Sequence, residues 1–555
     1  MRKFLSPLFC ALLFSTFMLA QSAPVAFLSQ LYPDTVAPGH AQFQLTLSGA
    51  GFQTGAVVNW NGSPRSTTFV SVNRLEATIT AADVARAGTA AVTVTNSGAI
   101  TSNLIYFPIH HASANVAFAR RDLGIVPGWG VAVADFNHDG KPDIAAVTGA
   151  GFGPYSLNIF LNNGNGTFSG PTTFSNSADG SQQMIAADFN NDGNVDLLVV
   201  GAYGVNSMWL GNGDGTFILS PHTLNLNDEN CLAVGDFNRD GKLDLFITGG
   251  TDGDNSAVVF LGNGDGSFTL GQNLGNVFNP QPPVIGDFNR DGKLDVAVPQ
   301  EGVNIYLGNG DGTFASPVSY PVPNAPFASV VADVNGDGKL DILSDGMSVL
   351  LGNGNGTFSS GYADAIPNAY YALAGDFNND NKIDLLMGYS DLFLTLGNGD
   401  GTFQSPLLWN AGENAHLGAI GDLDGDGRLD SLVVITVDPL TNTSALSIFL
   451  QTNLSLESSF LNFGNVKVRT TSPPQTSTLT NIGTAAVTIG AISISGGPGF
   501  AETNDCGTSL EPGVSCTISV SFTPHAKGSF QGKVRIGYSG TTGSPQYIEL
   551  LGLGN

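Results

Sequence analysis

The sequence predicts an all-β protein in which a seven-bladed β-propeller is flanked by two small β-sandwiches. A nine-residue string that begins and ends with Asp occurs seven times, at intervals of 43 to 53 residues. That spacing is close to the length of a four-stranded propeller blade. Short apolar runs on both sides of each string indicate buried strands. The chain is also rich in Gly (72 of 555 residues) and poor in charged residues (12 %), a composition that favours a turn-rich β-protein.

Residues 1–23 predict a secretory signal peptide. Arg2 and Lys3 precede an apolar run over residues 4–19, and Ala20 and Ala23 are small residues suited to cleavage. No later stretch contains the roughly 20 apolar residues that a membrane span requires. We therefore expect a secreted chain without a transmembrane segment, located outside the cell, at its surface or in the periplasm.

The net charge of −26 limits the partners. Nucleic-acid binding requires clustered Lys and Arg, and the chain has 20 of these residues in total against 46 Asp and Glu. We expect no nucleic acid as a partner. An acidic protein of this kind favours cations.

Residues 24–109 predict a first β-sandwich. Segments such as "VVNWNG" and "AAVTVTNSG" alternate apolar and polar residues, with turn signals every eight to twelve residues.

Residues 112–451 predict the propeller. Each nine-residue string connects strands one and two of a blade, and a later Gly-rich turn such as "GNGDG" connects strands three and four. The seventh repeat lacks this turn and its fourth strand, whereas residues 113–123 form an unpartnered strand before the first repeat. We expect that strand to complete the last blade and close the ring, which removes exposed sheet edges.

The nine-residue strings predict metal sites. Positions one, three, five and nine carry Asp or Asn, and position six is Gly in every copy except the sixth, which has Asn381. Side-chain oxygens that alternate along a tight loop converge on one point, and hard oxygen ligands select calcium. We expect up to seven structural calcium ions. The predicted ligands are Asp135, Asn137, Asp139, Asp143, Asp188, Asn190, Asp192, Asp196, Asp236, Asn238, Asp240, Asp244, Asp287, Asn289, Asp291, Asp295, Asp333, Asn335, Asp337, Asp341, Asp376, Asn378, Asp380, Asp384, Asp422, Asp424, Asp426 and Asp430.

Two alternatives to this interpretation are weaker. An EF-hand needs a bidentate Glu at position twelve, where the first four copies have Ala146, Val199, Ile247 and Val298. If the strings were simple acidic turns, 22 of the 46 acidic residues would lie in seven short strings with no cation to neutralise their charge. Two carboxylates a few Å apart repel by on the order of 1–4 kcal/mol.

The repeats over residues 112–451 resemble FG-GAP, or VCBS, repeats, the blades of integrin α-subunit propellers and of many secreted bacterial proteins. The resemblance implies that positions one, three, five and nine bind calcium through side chains and position seven through its carbonyl, which is Lys242 in the third copy. Because each blade repeats the same chemistry on this face, the strings are interpreted as structural clips rather than as catalytic sites or sensors.

The opposite face of the propeller is the predicted recognition surface. It is built from the connections between strands two and three and between blades, which vary in length and contain aromatic residues. The candidate ligand-face residues are Trp129, Phe152, Tyr155, Tyr203, Tyr370, Tyr389 and Trp409. The expected partner is a carbohydrate or a cell-surface or extracellular protein.

Residues 455–555 predict the second sandwich, in which Cys506 and Cys516 flank a Pro-Gly turn and could close a hairpin. The first sandwich resembles a TIG (IPT) immunoglobulin-like module, through "GAGF" and "VNWNG". The second resembles the ASH-like, choice-of-anchor type D immunoglobulin-like modules, which implies that its two cysteines form a disulfide. Both resemblances imply spacing and adhesion.

The sequence predicts a binding or adhesion protein rather than an enzyme. The seven histidines show no HExxH spacing, and GxSxG and a Walker loop are absent from the sequence. The alternative is a polysaccharide-active lyase or hydrolase built on the propeller, with Glu301 or His416 as candidate acid-base groups. No catalytic residue is assigned, and a monomer is expected.

Overall fold

The structure is a computed structural model. It describes residues 23–555 except 98–100, 114, 125–126, 149–154, 177–180, 202–205, 223, 225–230, 250–255, 278–280, 323–328, 345–347, 364–370, 389–391, 410–412, 439–442 and 542. Among these residues, the regular elements are all β-strands. In the described part of the chain, no helix has the length and apolar character needed to cross a membrane.

The N-terminal domain is a β-sandwich of two four-stranded sheets, with strand orders β1-β2-β6-β5 and β4-β3-β7-β8. Alternating apolar side chains from both sheets, among them Leu45, Leu75, Val92 and Phe107, are buried between the sheets around Trp60. The strands are β1 (Phe27–Tyr32), β2 (Phe43–Ala50), β3 (Val57–Trp60), β4 (Ser63–Pro64), β5 (Thr67–Ser71), β6 (Arg74–Ile79), β7 (Gly88–Thr95) and β8 (Ile105–Ile109).

Seven four-stranded antiparallel sheets, here called blades 1 to 7, follow along the chain. Blade 1 comprises β10 (Pro127–Ala134), β11 (Asp143–Thr148), β12 (Tyr155–Asn162) and β13 (Phe168–Asn176). Blade 2 comprises β14 (Ser181–Ala187), β15 (Asp196–Gly201), β16 (Ser207–Gly211) and β17 (Phe217–Leu219). Blade 3 comprises β18 (Cys231–Gly235), β19 (Asp244–Thr248), β20 (Ser256–Gly262) and β21 (Phe268–Asn276).

Blade 4 comprises β22 (Val284–Gly286), β23 (Asp295–Pro299), β24 (Val303–Tyr306) and β25 (Val318–Tyr320). Blade 5 comprises β26 (Ser329–Ala332), β27 (Asp341–Ser344), β28 (Ser348–Gly352) and β29 (Phe358–Ala363). Blade 6 comprises β30 (Tyr371–Gly375), β31 (Asp384–Gly388), β32 (Leu392–Thr395) and β33 (Leu407–Trp409). Blade 7 comprises β34 (Glu413–Gly421), β35 (Asp430–Asp438), β36 (Thr443–Gln451) and β9 (Phe118–Asp122).

The second strand of each blade is a run of apolar residues because it is covered on both faces. All residues of β19, β23 and β31 are buried, whereas every residue of the outer strand β21 is exposed or half-buried. Apolar side chains from neighbouring blades share the same clusters, such as Phe246 of β19 with Val296 of β23. The core of the propeller therefore lies between its blades.

Strand β9, inside the segment predicted to close the ring, pairs antiparallel with β36 as the fourth strand of blade 7. The first strand of blade 7, β34, also contacts β10 of blade 1. The sheets thus form a closed ring.

A hydrogen bond joins each blade to the next at the edge of the ring. In five cases the Gly-rich turn of one blade donates an amide to the carbonyl at position two of the preceding nine-residue string. The links are Gly215 to Phe136, Gly266 to Phe189, Gly312 to Phe237, Gly356 to Phe288 and Gly401 to Val334, at 2.9–3.2 Å. Side chains make the other two links, Gln451 Nε2 to Phe377 O at 2.9 Å and Asn162 Nδ2 to Leu423 O at 3.0 Å. The set of links is complete around the ring.

The C-terminal domain is a second β-sandwich, with sheet orders β37-β39-β43-β41 and β38-β45-β44-β40-β42. Cys506 and Cys516 form a disulfide with a Cα–Cα distance of 4.8 Å, as the resemblance implied. The strands are β37 (Leu454–Leu456), β38 (Phe460–Val466), β39 (Gln475–Asn481), β40 (Val487–Gly496), β41 (Phe500–Asn504), β42 (Ser509–Leu510), β43 (Ser515–Phe522), β44 (Gly528–Ser539) and β45 (Gln546–Gly554).

This sandwich contacts the closing strand of the propeller. Lys533 Nζ lies 3.3 Å from Asp122 Oδ2 and 2.7 Å from Glu549 Oε1. Arg121 donates to the carbonyl of Ser544 at 2.8 Å. The predicted all-β class, with a propeller and flanking sandwiches, is confirmed.

Candidate metal-binding loops

All seven nine-residue strings are loops between the first and second strands of their blades. We call them loops 1 to 7: Asp135–Asp143, Asp188–Asp196, Asp236–Asp244, Asp287–Asp295, Asp333–Asp341, Asp376–Asp384 and Asp422–Asp430.

The Asp at position one shapes the turn in every loop. In loop 4, Asp287 Oδ1 accepts the amide of Asp291 at 3.0 Å, and Oδ2 accepts the amide of Gly292 at 2.8 Å. The corresponding two bonds occur in all seven loops at 2.7–3.2 Å. One carboxylate thus binds the amides of positions five and six and closes the turn around itself.

The side chains at positions three and five also accept amides of the loop backbone. In loop 4, Asn289 Oδ1 accepts the same Asp291 amide at 2.9 Å, and Asp291 Oδ1 accepts the amide of Lys293 at 3.0 Å. Loops 1 to 6 share the first of these bonds, and all seven loops share the second. The oxygens of positions one and three therefore converge on one amide.

The Asp at position nine joins the loop to the other end of its blade. Asp295 is fully buried; its Oδ2 accepts the amide of Phe288 at 2.9 Å, and its Oδ1 accepts the amide of Gly308 at 2.8 Å. Gly308 begins the Gly-rich turn. Equivalent bonds occur in every blade at 2.7–3.1 Å, with Asn162 and Gln451 taking the place of the glycine in blades 1 and 7. This second role of position nine was not predicted from the sequence.

The loops bury several carboxylates close together, which is unfavourable for their negative charges. Burial, together with the charges of neighbouring Asp residues, raises the pKa of the position-nine carboxyl to about 7 in loops 1 to 5 and to about 8 in loop 6. Burial likewise raises the pKa of Asp236 and of Asp287 to about 6. Basic side chains at position seven pair with position five in six loops, but the five Lys pairs are partly exposed and contribute little.

The donor set fits calcium. The side-chain atoms at positions one, three and five are carboxylate and amide oxygens, which calcium prefers over softer ligands. In loop 7, one carboxylate oxygen each from Asp422, Asp424 and Asp426 lie within 4.8 Å of one another. Two oxygens on one calcium ion are at most about 5 Å apart. Positions one, three and five, with the carbonyl of position seven and a remaining lone pair of position nine, are the groups that would hold the ion.

Positions four and six both require a left-handed backbone. Position six has φ of 61° to 89° in the seven loops, and position four has φ of 56° to 78°, even where it is Arg239 or Arg290. A non-Gly residue in this region is disfavoured by roughly 1–2 kcal/mol. Contacts with the next blade offset this cost: Asn191 Nδ2 donates to the carbonyl of Gly241 at 3.1 Å, and the ring of His138 lies 3.0 Å from Asn194 Oδ1.

The Gly-rich turns are hairpins in which the acidic residue already accepts hydrogen bonds from the turn. Asp311 Oδ1 accepts the amide of Thr313 at 3.0 Å and its hydroxyl at 2.5 Å, and these bonds lower the pKa of the exposed Asp311. The same arrangement occurs in the turns that contain Asp214, Asp265 and Asp400. This geometry supports the interpretation of "GNGDG" as a turn rather than a second metal site.

The N-terminal sandwich rests on the face that carries the loops. The amide of Val25 donates to Asp236 Oδ2 at 2.8 Å, and the amide of Gly51 donates to the carbonyl of Gly292 at 3.1 Å. Phe27 and Ala50 pack with apolar side chains of blades 3 and 4. Loops 1, 2 and 5 have exposed residues at positions four to six, and a cleft of about 1070 Å³ lies between the sandwich and loops 1 and 2.

Asn381, the exception to Gly at position six, is one of these docking residues. Its Oδ1 accepts the amides of Asp34 at 3.0 Å and of Thr35 at 3.3 Å. Asn tolerates the left-handed φ of 61° better than other residues with a side chain. The departure from the pattern in loop 6 thus serves the contact between domains.

Replacing Asn381 with Gly is expected to loosen the N-terminal sandwich without unfolding loop 6. Gly suits the backbone at this position, whereas the amides of Asp34 and Thr35 lose their acceptor. Hydrogen exchange of residues 27–50 should accelerate, and the melting temperature of the propeller should change little. The matched control is Gly338→Asn in loop 5, where an added Cβ meets nothing within 4 Å and where Asn tolerates the φ of 78° better than other residues with a side chain. Unchanged exchange in Asn381→Gly would contradict the docking role.

The predicted ligand-face residues have different outcomes. Tyr155 is a correction: it is 2 % exposed, and its hydroxyl accepts from Trp209 Nε1 at 3.0 Å and from Asn176 Nδ2 at 2.9 Å. It therefore plugs the space between blades 1 and 2 and cannot contact a ligand. Phe152, Tyr203, Tyr370 and Tyr389 lie outside the described residues. Trp129 and Trp409 lie in β10 and β33, and their side chains are outside the description.

The FG-GAP-like repeat family matches the chain in five segments, residues 135–199, 188–247, 236–298, 297–344 and 376–433. Together these segments include all seven loops. The chain carries FG-GAP-like repeats. The first three matched segments overlap, and each runs from one loop through the next loop into the second strand of the following blade.

A second family, the HYDIN/CFA65/VesB-like Ig-like domain, matches residues 452–553. The C-terminal sandwich is therefore an Ig-like domain. Among curated proteins, no sequence matches the chain.

Solved structures resemble the FG-GAP-like repeat chain at low identity. An auxiliary nutrient binding protein from Bacteroides ovatus is 12 % identical, with a TM-score of 0.33, over 77 % of this chain and 98 % of that one. One from Bacteroides thetaiotaomicron is 11 % identical, with a TM-score of 0.32 and the same coverage. The ASH / PapD-like domain of human CEP192 is 16 % identical, with a TM-score of 0.16, over 19 % of this chain and 85 % of that one.

Proposed function

We propose that this chain is a secreted, calcium-stabilised binding or adhesion protein. The observation that carries the proposal is the repetition of one oxygen-lined loop in every blade, with buried carboxylates that lack enough basic partners. The seven loops contain 22 Asp residues and eight Lys or Arg. Calcium would neutralise these carboxylates and fix one edge of the propeller, and the repeated chemistry leaves recognition to parts of the chain that differ between blades.

We propose further that the ligand binds the face opposite the loops. The loop face already holds the N-terminal sandwich through contacts such as Val25 to Asp236. The remaining aromatic candidates predicted for that face are Trp129, Phe152, Tyr203, Tyr370, Tyr389 and Trp409. Aromatic rings on a rigid scaffold can stack on sugar rings or anchor a partner protein.

The flanking domains fit the same proposal as spacers. We infer that the N-terminal sandwich is a TIG/IPT-like module and that the C-terminal Ig-like domain is of the ASH-like type, neither of which adds chemistry. The proposed location is extracellular or at the cell surface, after removal of the signal peptide, and the proposed state is a monomer.

Binding by the labelled full chain to glycan and extracellular-protein arrays, in millimolar calcium, tests this function. We expect retention on a defined ligand class that Trp409→Ala weakens. Tyr32→Ala is the control, because Tyr32 is a large exposed aromatic residue on the N-terminal sandwich. Failure to bind either array, or equal binding by Trp409→Ala and all other opposite-face variants, would contradict the proposal. Release of products from uronate-containing polymers would instead favour the polysaccharide-active alternative.

A further inference from the structure

Loop 7 differs from the other six loops at position three. Asp424 stands there, where loops 1 to 6 have Asn. Its side chain is only 7 % exposed, yet neither carboxylate oxygen accepts a hydrogen bond of normal geometry from the described residues. The Asn at position three of the other loops accepts the amide of position five. In loop 7 that amide and the amide of Gly425 both donate to Asp422.

The carboxylate of Asp424 lies in a cluster of negatively charged side chains. Oxygens of Asp422, Asp424 and Asp426 lie within 4.8 Å of one another, and Asp430 is buried beside them. Arg428 is the basic residue of the loop, and it pairs with Asp426. Four carboxylates face one guanidinium. A buried carboxylate without a partner is strongly destabilising, so a cation with more than one charge is the group that fits here.

Loop 7 is also enclosed by all three domains. A Cβ added at Gly427 would lie 2.6 Å from the carbonyl oxygens of Gly88 and Ile109 in the N-terminal sandwich. Arg428 Nη1 donates to Asn453 Oδ1 at 3.1 Å, and the amide of Asn453 donates to Thr541 in the C-terminal sandwich at 3.3 Å.

Blade 1 covers the remaining side of loop 7. A Cβ added at Gly166 would lie 3.2 Å from Asp424 Cβ, and Arg121 of the closing strand donates to the Gly166 carbonyl. Loops 1, 2 and 5, by contrast, are exposed at all of positions four to six, whereas in loop 7 Gly425 at position four is the exposed residue of the three.

We propose that loop 7 holds one divalent cation in slow exchange and that this ion fixes the junction of the three domains, whereas ions in the open loops exchange freely. The inference rests on the proposed calcium binding and goes beyond it: the seven loops are not equivalent. Asp424 is the residue that distinguishes the slow site, and the enclosure by Gly88, Ile109, Gly166 and Asn453 is what slows release.

Calcium retention by the full chain tests the proposal. Protein loaded with calcium and passed briefly over a chelating resin should keep about one ion per chain, measured by mass spectrometry of the metal. Asp424→Asn should lose that ion. Asp337→Asn in the open loop 5 should lower the loaded total by one and keep the retained ion. Asp400→Asn, in a hairpin turn, should match the wild type in both numbers.

Thermal unfolding gives a second test, because the substitution is expected to lower the melting temperature in calcium but not in chelator. Because neither oxygen of Asp424 accepts a hydrogen bond of normal geometry from the described residues, Asp424→Asn chiefly removes a charge, and the variant should fold. In calcium its melting temperature should fall below that of the wild type, and limited proteolysis should cut between domains sooner. In chelator its melting temperature should equal or exceed that of the wild type.

The outcomes separate this inference from the calcium proposal. If every ion leaves the wild type together, or if Asp424→Asn keeps the slow ion, the inference is wrong while calcium binding stands. If none of the proteins takes up calcium, the proposed calcium role itself is wrong.

Discussion

Removal of calcium is expected to lower the melting temperature of the full chain by roughly 10 °C or more. A site whose ligand is present at 100 times its dissociation constant stabilises the folded state by about 2.7 kcal/mol, and several sites act together. Without the ion, each loop keeps its buried carboxylates, whose raised pKa values reflect burial and mutual repulsion. Circular dichroism in calcium, after EDTA and after calcium is restored would measure the change.

Two controls separate bound calcium from general screening of charge. A chain with a net charge of −26 is also stabilised by salt, so sodium chloride at matched ionic strength must be compared. We expect sodium to restore little of the loss. Magnesium should restore only part of it, because it demands a tighter octahedral shell than these loops offer. A melting curve that is the same in calcium and EDTA would contradict the calcium role.

The blade architecture could be predicted because its signals are local. Each string places its turn between two apolar runs, and the hairpin glycines follow at a regular distance along the chain. The closing strand was predictable too, since one end of the repeat array lacks a strand and the other end has a spare one. Its pairing with β36 follows from that count alone.

The candidate metal ligands of the loops could be named from the sequence, but their hydrogen-bond partners and backbone conformation could not. Carboxylates at positions one, three, five and nine indicate a metal, but their protein partners are set by the folded backbone. Asp295 reaches Gly308, which belongs to a different turn of the same blade. Arg239 and Arg290 carry no sequence signal for a left-handed backbone, and the loop imposes that conformation on them through the acceptors at position one.

Contacts between distant segments could not be predicted. Asn381 was visible as a departure from the pattern, but its partner Asp34 is 347 residues away in the chain. The sequence predicts that Tyr155 lies in a variable connection of the ligand face. It instead begins β12, where an aromatic ring fills the gap between two blades. A sequence does not distinguish an aromatic plug from an aromatic contact, since both occur where a strand meets a loop.

Replacing Asp295 with Ala is expected to destabilise the propeller by roughly 2–6 kcal/mol. The amides of Phe288 and Gly308 both lose their acceptor in a fully buried position, and each unpaired buried group costs about 1–3 kcal/mol. Denaturant unfolding of the full chain would measure the loss. The matched control is Asp311→Ala, in the exposed hairpin of the same blade, which should unfold nearly as the wild type does.

Comparing these variants in calcium and in EDTA separates the two roles of Asp295. As a bridge between amides it acts without metal, so Asp295→Ala should remain less stable than the wild type in EDTA. As a ligand it acts only with metal, so the difference should grow in calcium. A loss confined to calcium would show that the bridging bonds contribute nothing, and a loss of the same size in both conditions would remove position nine from the ligand set. Because Asp295 has an equivalent in every blade, the answer applies to all seven loops.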